Sequence, residues 1–233
     1  MRTRDGDFAF EIVRSKRATA DIVIERDGRV LVRAPATIPD EKIEDIVEAK
    51  RYWIYKNLAE WRDLNATRVL REYRNGEGFL YLGRSYRLSL VTEQLADLRL
   101  QGGRFVLRRA LVDAGDANAL RAAFREFYLK QGKNRIGQRV RYFAPKVGIE
   151  VARIDVRELG NRWAAYSPSG GVAFHWKCMM APQSIIDYIV VHELCHAHHM
   201  NHSQAFWNEV DKILPAFRER RDWLRRNGAG LDV

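Results

Sequence analysis

Two hydrophobic rhythms alternate along the chain. Between residues 8 and 34 apolar residues fall at every second position in FAFEIV, TADIVIE and RVLVRA, which predicts three short strands, with Asp27-Gly28 as a hairpin turn between the last two. After Pro39 the period lengthens. Ile43, Ile46, Val47, Trp53, Ile54 and Leu58 recur at helical spacing through IEDIVEAKRYWIYKNLAEW and predict one long helix with those side chains in the core. Arg74 to Gly78 reads as a loop, and period two returns from Phe79 to Val112, with turns at Gly83 and Gly102-Gly103. Leu120, Phe124, Phe127 and Tyr128, then Ile136, Val140 and Phe143, mark a long helical region. VARIDVREL, NRWAAYS and GGVAFHW read as strands before a helix whose stripe is Ile186, Val190, Leu194 and Ala197, and two further helices close the chain. The fold class is α+β. A strand-rich region with one long helix is expected over 1–115 and a second domain over 116–233, with no repeat or low-complexity tract between them.

Composition narrows the setting. At 233 residues and 46% hydrophobic content the chain can bury a sizeable core. Its opening, MRTRDGDFAFEIV, carries charges where a signal peptide is apolar, and no apolar run is long enough to span a membrane. A cytoplasmic location is the expectation. Two cysteines, Cys178 and Cys195, do not make a disulfide framework, and Cys195 reads as a small buried apolar residue rather than a redox switch. The net charge of +10 is uneven: residues 147–233 hold ten charges of each sign, whereas Arg121 to Lys146 has eight basic residues opposed only by Glu126. Arg121, Arg125, Lys130, Lys133, Arg135 and Arg139 would line the outer face of that helix. They are either a solvated face or an attraction for nucleic acid, nucleotide phosphates or an acidic protein.

The segment VVHELCHAHHMNHSQAFW holds five of the chain's six histidines. Within it His192-Glu193-Leu194-Cys195-His196 is an HExxH pattern, in which one helical face presents two imidazoles four residues apart. A catalytic zinc needs three protein ligands and an open position. His199 sits seven residues on, about 10 Å along a straight helix from His192, too far to share an ion. His198 points to the wrong side of the wheel. His202 is the best third ligand, because Met200-Asn201 can end the helix in a left-handed residue and Ser203 can cap the next one. Glu209 is the rival. Ser184 and Asp187 resemble a capping box at the start of the motif helix. Glu193 has no place in a closed structural site, but beside an open metal it can take a proton from water and pass it to a leaving group, so hydrolysis is implied. Tyr166, His175 and His199 are the candidates for stabilising an oxyanion or touching substrate, and the strand Gly171 to Trp176 is a candidate edge for pairing with an extended peptide.

KRYWIYK, YLGRSYRL, the Arg162-Trp163 pair and DYIVVHELCHAHHMNHSQAFW with Pro215 after it together resemble the YgjP-like metal-dependent hydrolases, which are related to the SprT and WLM zinc proteases. The last stretch carries most of the specificity. The resemblance implies a zincin-like C-terminal half, one zinc held by His192, His196 and His202, and Glu193 as general base. Where that family shows RWGSC, this chain has Arg162-Trp163-Ala164-Ala165-Tyr166, so the roles of the Gly-Ser-Cys positions do not carry over. The leading expectation is a cytoplasmic zinc metallopeptidase acting on peptide or protein. A nucleotide phosphoanhydride hydrolase of pyrophosphatase type would use the same metal and base, with cations converging on the cleft. A non-catalytic nucleic-acid or protein binding module would have no need of Glu193.

Overall fold

Alternate burial builds the first sheet. In the computed structural model, which describes residues 8–25, 28–65, 71–160 and 162–233, the strands β1 (Phe10–Ser15), β2 (Asp21–Ile24) and β3 (Val30–Pro35) are ordered β1-β3-β2. β3 pairs in parallel with β1 and antiparallel with β2. Val30, Val32 and Ala34 project from one face of β3 and, with Phe10, pack on Ile43 and Val47 of α1 (Asp40–Ala49) and Ile54 of α2 (Arg51–Asn65). The single helix expected after Pro39 is therefore two. Lys50, at φ −104° and ψ 6°, interrupts the ladder between them. The break turns the apolar stripe, so Ile43, Val47 and Ile54 are buried while Trp53 is 43% exposed. Asp27 of the expected hairpin turn lies outside the described residues, whereas Gly28 has the left-handed φ of 86° that such a turn requires.

Met1–Arg68 is one compact unit and Val69–Val233 another. The division falls at 68/69 rather than at the expected 115/116, because the strands before residue 115 share a core with the long helix after it. β4 (Gly78–Tyr81), β5 (Arg84–Val91), β6 (Leu98–Gln101) and β7 (Arg104–Arg108) form a sheet ordered β4-β5-β7-β6, followed by the short α3 (Arg109–Asp113). Across it runs α4 (Ala117–Val147), capped by Asp116, whose side chain accepts from the Asn118 and Ala119 N–H groups. Phe79 stacks on Phe124 at 4.4 Å, and Tyr128 donates its hydroxyl to the Leu80 carbonyl at 2.6 Å. One helix thus serves two layers. Farther along α4, Gly132 lets Val156 and Met179 approach so closely that a Cβ would meet them at 3.0 and 3.3 Å. Val156 belongs to β8 (Arg153–Arg157), which with β9 (Ala164–Ser167) and β10 (Gly171–His175) makes a third sheet, ordered β8-β10-β9. A 3-10 turn, Trp176–Met180, then leads into α5 (Gln183–Cys195), which carries the HExxH motif and packs on α4. α6 (Gln204–Ile213) and α7 (Phe217–Asn227) complete the α+β fold. Among the described residues no helix is long and apolar enough to cross a membrane.

Two contacts fix where α5 begins. Leu82 and Gly83, at φ 49° and 76°, form the tight β4–β5 turn, and their N–H groups donate to the carbonyls of Met179 and Met180 at 2.8 and 3.1 Å. The turn lies directly against Pro182. Arg139 of α4 forks onto Asp187 of α5, with Nε and Nη2 at 2.6 and 3.0 Å from its two oxygens. Asp187 is therefore not the capping-box partner that the sequence suggested; Pro182 takes the N-cap position with no side-chain cap bond. Gly83→Ala should destabilise the chain by about 1–3 kcal/mol, since it adds left-handed strain to a Cβ built 2.9 Å from the Pro182 Cα. Gly102→Ala has the same kind of backbone, φ 57°, but nothing within 4 Å, so it should cost clearly less in the same chemical-denaturation measurement. Equal losses would show that docking against Pro182 contributes nothing.

Candidate metal centre

An α-helix returns to the same face after four residues, and α5 uses this to place His192 and His196 side by side. Its last bonds tighten to i→i−3 spacing at His196, Ala197 and His198, and the chain then reverses without a left-handed residue at Asn201, the only positive-φ non-glycines being Tyr73 and Leu82 among the described residues. The expected Asn201 helix stop is replaced by this tightened turn. Ser203 caps α6 as expected, its hydroxyl accepting from the Phe206 N–H. Between these two ends His202 swings back onto α5. The three imidazole centroids form a nearly equilateral triangle with sides of 5.0, 4.9 and 4.9 Å. One ring nitrogen from each lies within 4.8 Å of the others, and the Nε2 atoms of His192 and His202 are 3.0 Å apart.

Two rings of α6 hold the triangle from behind. Phe206 stacks on His196 at 4.8 Å and Trp207 stacks on His202 at 5.6 Å. His196 donates or shares its Nδ1 proton with the His199 carbonyl at 2.9 Å, which leaves its Nε2 as the lone-pair nitrogen facing the triangle. Burial, aided by the neighbouring His196 and His202, depresses His192 to about 3, and burial likewise lowers His202. Neutral imidazoles are the form that binds a metal. The Nδ1 of His192 is buried with no hydrogen-bond partner and its Nε2 faces another ring nitrogen, so protein groups do not satisfy this side chain. A shared cation at the Nε2 atoms would take up the ring lone pairs that converge there. Three borderline nitrogen donors fit zinc.

Glu193 lies beside the triangle and is 8% exposed. Burial raises its carboxyl to about 7, against the opposing effects of the Tyr166 backbone N–H bonded to it and the Arg162 charge. Tyr166 meets Glu193 through its backbone N–H. His175 does not reach it: Nε2 pairs with Glu158 at 2.6 Å, and Nδ1 accepts from the Lys177 N–H at 3.0 Å, which caps the turn after β10. His199 pairs with Glu209 at 3.0 Å, and His198 contacts the other oxygen of the same carboxylate. Glu209, the rival ligand, is thus turned to that pair of histidines. Arg162, absent from the sequence candidates, is the cation acting on Glu193; its only sequence signal was its place in the Arg-Trp pair.

β10 is the central strand of its sheet, so it cannot be the open edge expected of it. β9 takes that position. The His175 N–H donates to the Trp163 carbonyl at 2.7 Å, which fixes the ladder so that Ala165 and Ser167 face β10 while Ala164 and Tyr166 turn their backbone groups outward, toward Glu193. The six basic residues of α4 are less available than their number implied. Arg121 is tied to Asp232 at 2.7 Å, Arg139 to Asp187, and Arg135 donates to the Tyr81 hydroxyl at 2.9 Å. Both cysteines are buried and neither forms a disulfide among the described residues; burial pushes Cys195 up to about 12, where it stays protonated.

Comparison with protein families matches residues 18–227 to the YgjP-like family, described as YgjP-like, metallopeptidase domain. No match emerges among curated proteins. Among solved structures the chain is similar to the metallopeptidase zymogen of Pyrococcus abyssi, abylysin, at 24% identity over 37% of this chain and 89% of that one, with a TM-score of 0.35. The geometry of Glu209 yields a test of its own. Glu209→Ala should weaken metal binding about tenfold or more in chelator competition while leaving the metal stoichiometry unchanged, because it releases the His198–His199 segment whose carbonyl orients His196. Loss of the metal altogether would instead make Glu209 a ligand.

Proposed function

Because the chain belongs to the YgjP-like metallopeptidase family, we propose that it is a zinc-dependent peptidase in which His192, His196 and His202 hold the metal and Glu193 is the general base. The observation that carries this reading is the convergence of three imidazoles beside a buried carboxylate. When bound, zinc supplies Lewis acidity toward the substrate carbonyl and water, and its charge favours the carboxylate form of Glu193. Glu193 then accepts the proton of the attacking water and returns it to the departing amine. With its carboxyl raised to about 7 by burial, it can hold that proton between the two transfers. Arg162, whose charge acts on Glu193, is the cation we assign to stabilising the developing oxyanion, a role for which His175 is not free because it is paired with Glu158.

Substrate chemistry follows from the strand beside the base. The outward groups of Ala164 and the Tyr166 carbonyl on β9 can pair with an extended polypeptide, the Tyr166 N–H being held by Glu193, and so lay a scissile bond along Glu193. The small Ala164 and Ala165 leave the approach to that edge uncrowded. Phosphoanhydride hydrolysis would call for several cations converging on the cleft, and the internal pairs of Arg121 and Arg139 favour the peptide reading instead. That Cys178 and Cys195 remain buried thiols rather than a disulfide supports a reducing, cytoplasmic setting.

Glu193→Gln is nearly isosteric and leaves all three imidazoles in place. It should retain metal and thermal stability while lowering turnover of a quenched-fluorescence peptide library by about 100-fold or more. Undiminished turnover with metal still bound would remove Glu193 from the chemistry.

A further inference from the structure

A second groove lies on the 69–233 unit, built from residues distinct from the histidine centre. It encloses about 740 Å³ between β6 and the flank of α4, with Leu98, Leu100 and Phe127 as its apolar lining. β6 ends its sheet. The Arg108 N–H donates to the Asp97 carbonyl at 2.9 Å, which sets the antiparallel ladder so that Arg99 and Gln101 face β7 while Leu98 and Leu100 turn their N–H and C=O groups outward. Among the described residues none of these outward groups has a hydrogen-bond partner. An open ladder beside an apolar trough is the setting in which an extended chain adds as a further strand.

Charge selects what kind of chain fits. Arg99, Lys130 and Arg135 line the groove, and Lys130 has no partner among the described residues. Asp97 is neutralised by Arg108 at 2.6 Å, leaving Glu126 as the unpaired carboxylate of the lining. Leu95 stands fully exposed at the rim, 102% of its reference area, without a core to join. A nucleic-acid strand matches this surface poorly. Its phosphates only accept hydrogen bonds and would face the outward carbonyls of Leu98 and Leu100, and the groove presents no exposed aromatic face for bases to stack on.

We propose that this groove docks an extended, acidic segment of a partner polypeptide, with apolar side chains at alternate positions, as a fifth strand on β6. The outward N–H and C=O groups of Leu98 and Leu100 pair with its backbone. Its apolar side chains enter the trough toward Phe127, its alternate carboxylates meet Arg99 on the other face of the sheet, and Lys130 at the α4 rim of the trough adds to the positive charge that attracts an acidic segment. The inference does not depend on the metal centre, since docking requires no chemistry there.

The test uses the full chain carrying Glu193→Gln, which keeps the probe intact, and a fluorescein-labelled ten-residue peptide alternating Glu with Val or Leu, followed by fluorescence anisotropy. Saturable binding is expected, weakened about tenfold by joint Arg99→Glu and Lys130→Glu replacement, both at exposed positions. The same peptide N-methylated at every second residue, in either register, should lose binding in the register that faces β6. Leu100→Pro removes one outward donor without touching a β6–β7 bond and should also weaken binding, with unfolding midpoints confirming that each variant is folded. Absence of binding at low salt, indifference to N-methylation in both registers, or preference for an oligonucleotide of equal charge over the peptide would overturn the proposal.

Discussion

Two ring nitrogens held 3.0 Å apart, His192 Nε2 and His202 Nε2, set the constraint around which the 69–233 unit is built. Burial disfavours the charged form of His192, so the approach is between rings that share at most one N–H···N bond. Such a pair persists only if the surrounding elements hold it. α5 is fixed at its start by the Leu82-Gly83 turn and along its length by the Arg139–Asp187 fork. At its other end the Glu209 carboxylate holds His198 and His199, and Phe206 and Trp207 back the rings. The same stiffness would hold the nitrogens ready for a shared cation, leaving less reorganisation on binding.

The site also explains why the small sheet is arranged as β8-β10-β9. With β10 in the centre, β9 is left as an edge whose Tyr166 N–H bonds to Glu193, so this carboxylate and the open edge are fixed to one another. Substitutions that shift β9 would therefore move both Glu193 and that edge. The outward edge of β6 is a second, separate place where this fold leaves a ladder open.

Much of this was legible in the sequence because it rests on local periodicity. HExxH spacing, the Ser203 cap and the impossibility of His199 as a ligand on a straight helix all follow from helical geometry, and the structure brings together the three histidines that argument selected. Errors arose where tertiary contacts override local signals. Asp187 looked like a capping residue but answers Arg139, 48 positions away in sequence. β10 looked like an edge because strand order is not written in alternation. Lys50 interrupts a helix that the apolar spacing continued, and half of the apparent phosphate-binding charge on α4 is engaged by Asp232, Asp187 and Tyr81. The Arg162 charge and the Tyr166 N–H reach Glu193 only through the fold of β9.

The central claim is that His202, delivered by the turn between α5 and α6, completes a metal centre begun by the HExxH pair. Metal content per chain after purification and dialysis, compared between the wild type and His202→Ala, tests it most directly. The account predicts about one zinc in the wild type and a substoichiometric, readily chelated metal in the variant. Equal zinc content and equal resistance to chelation in both proteins would contradict it.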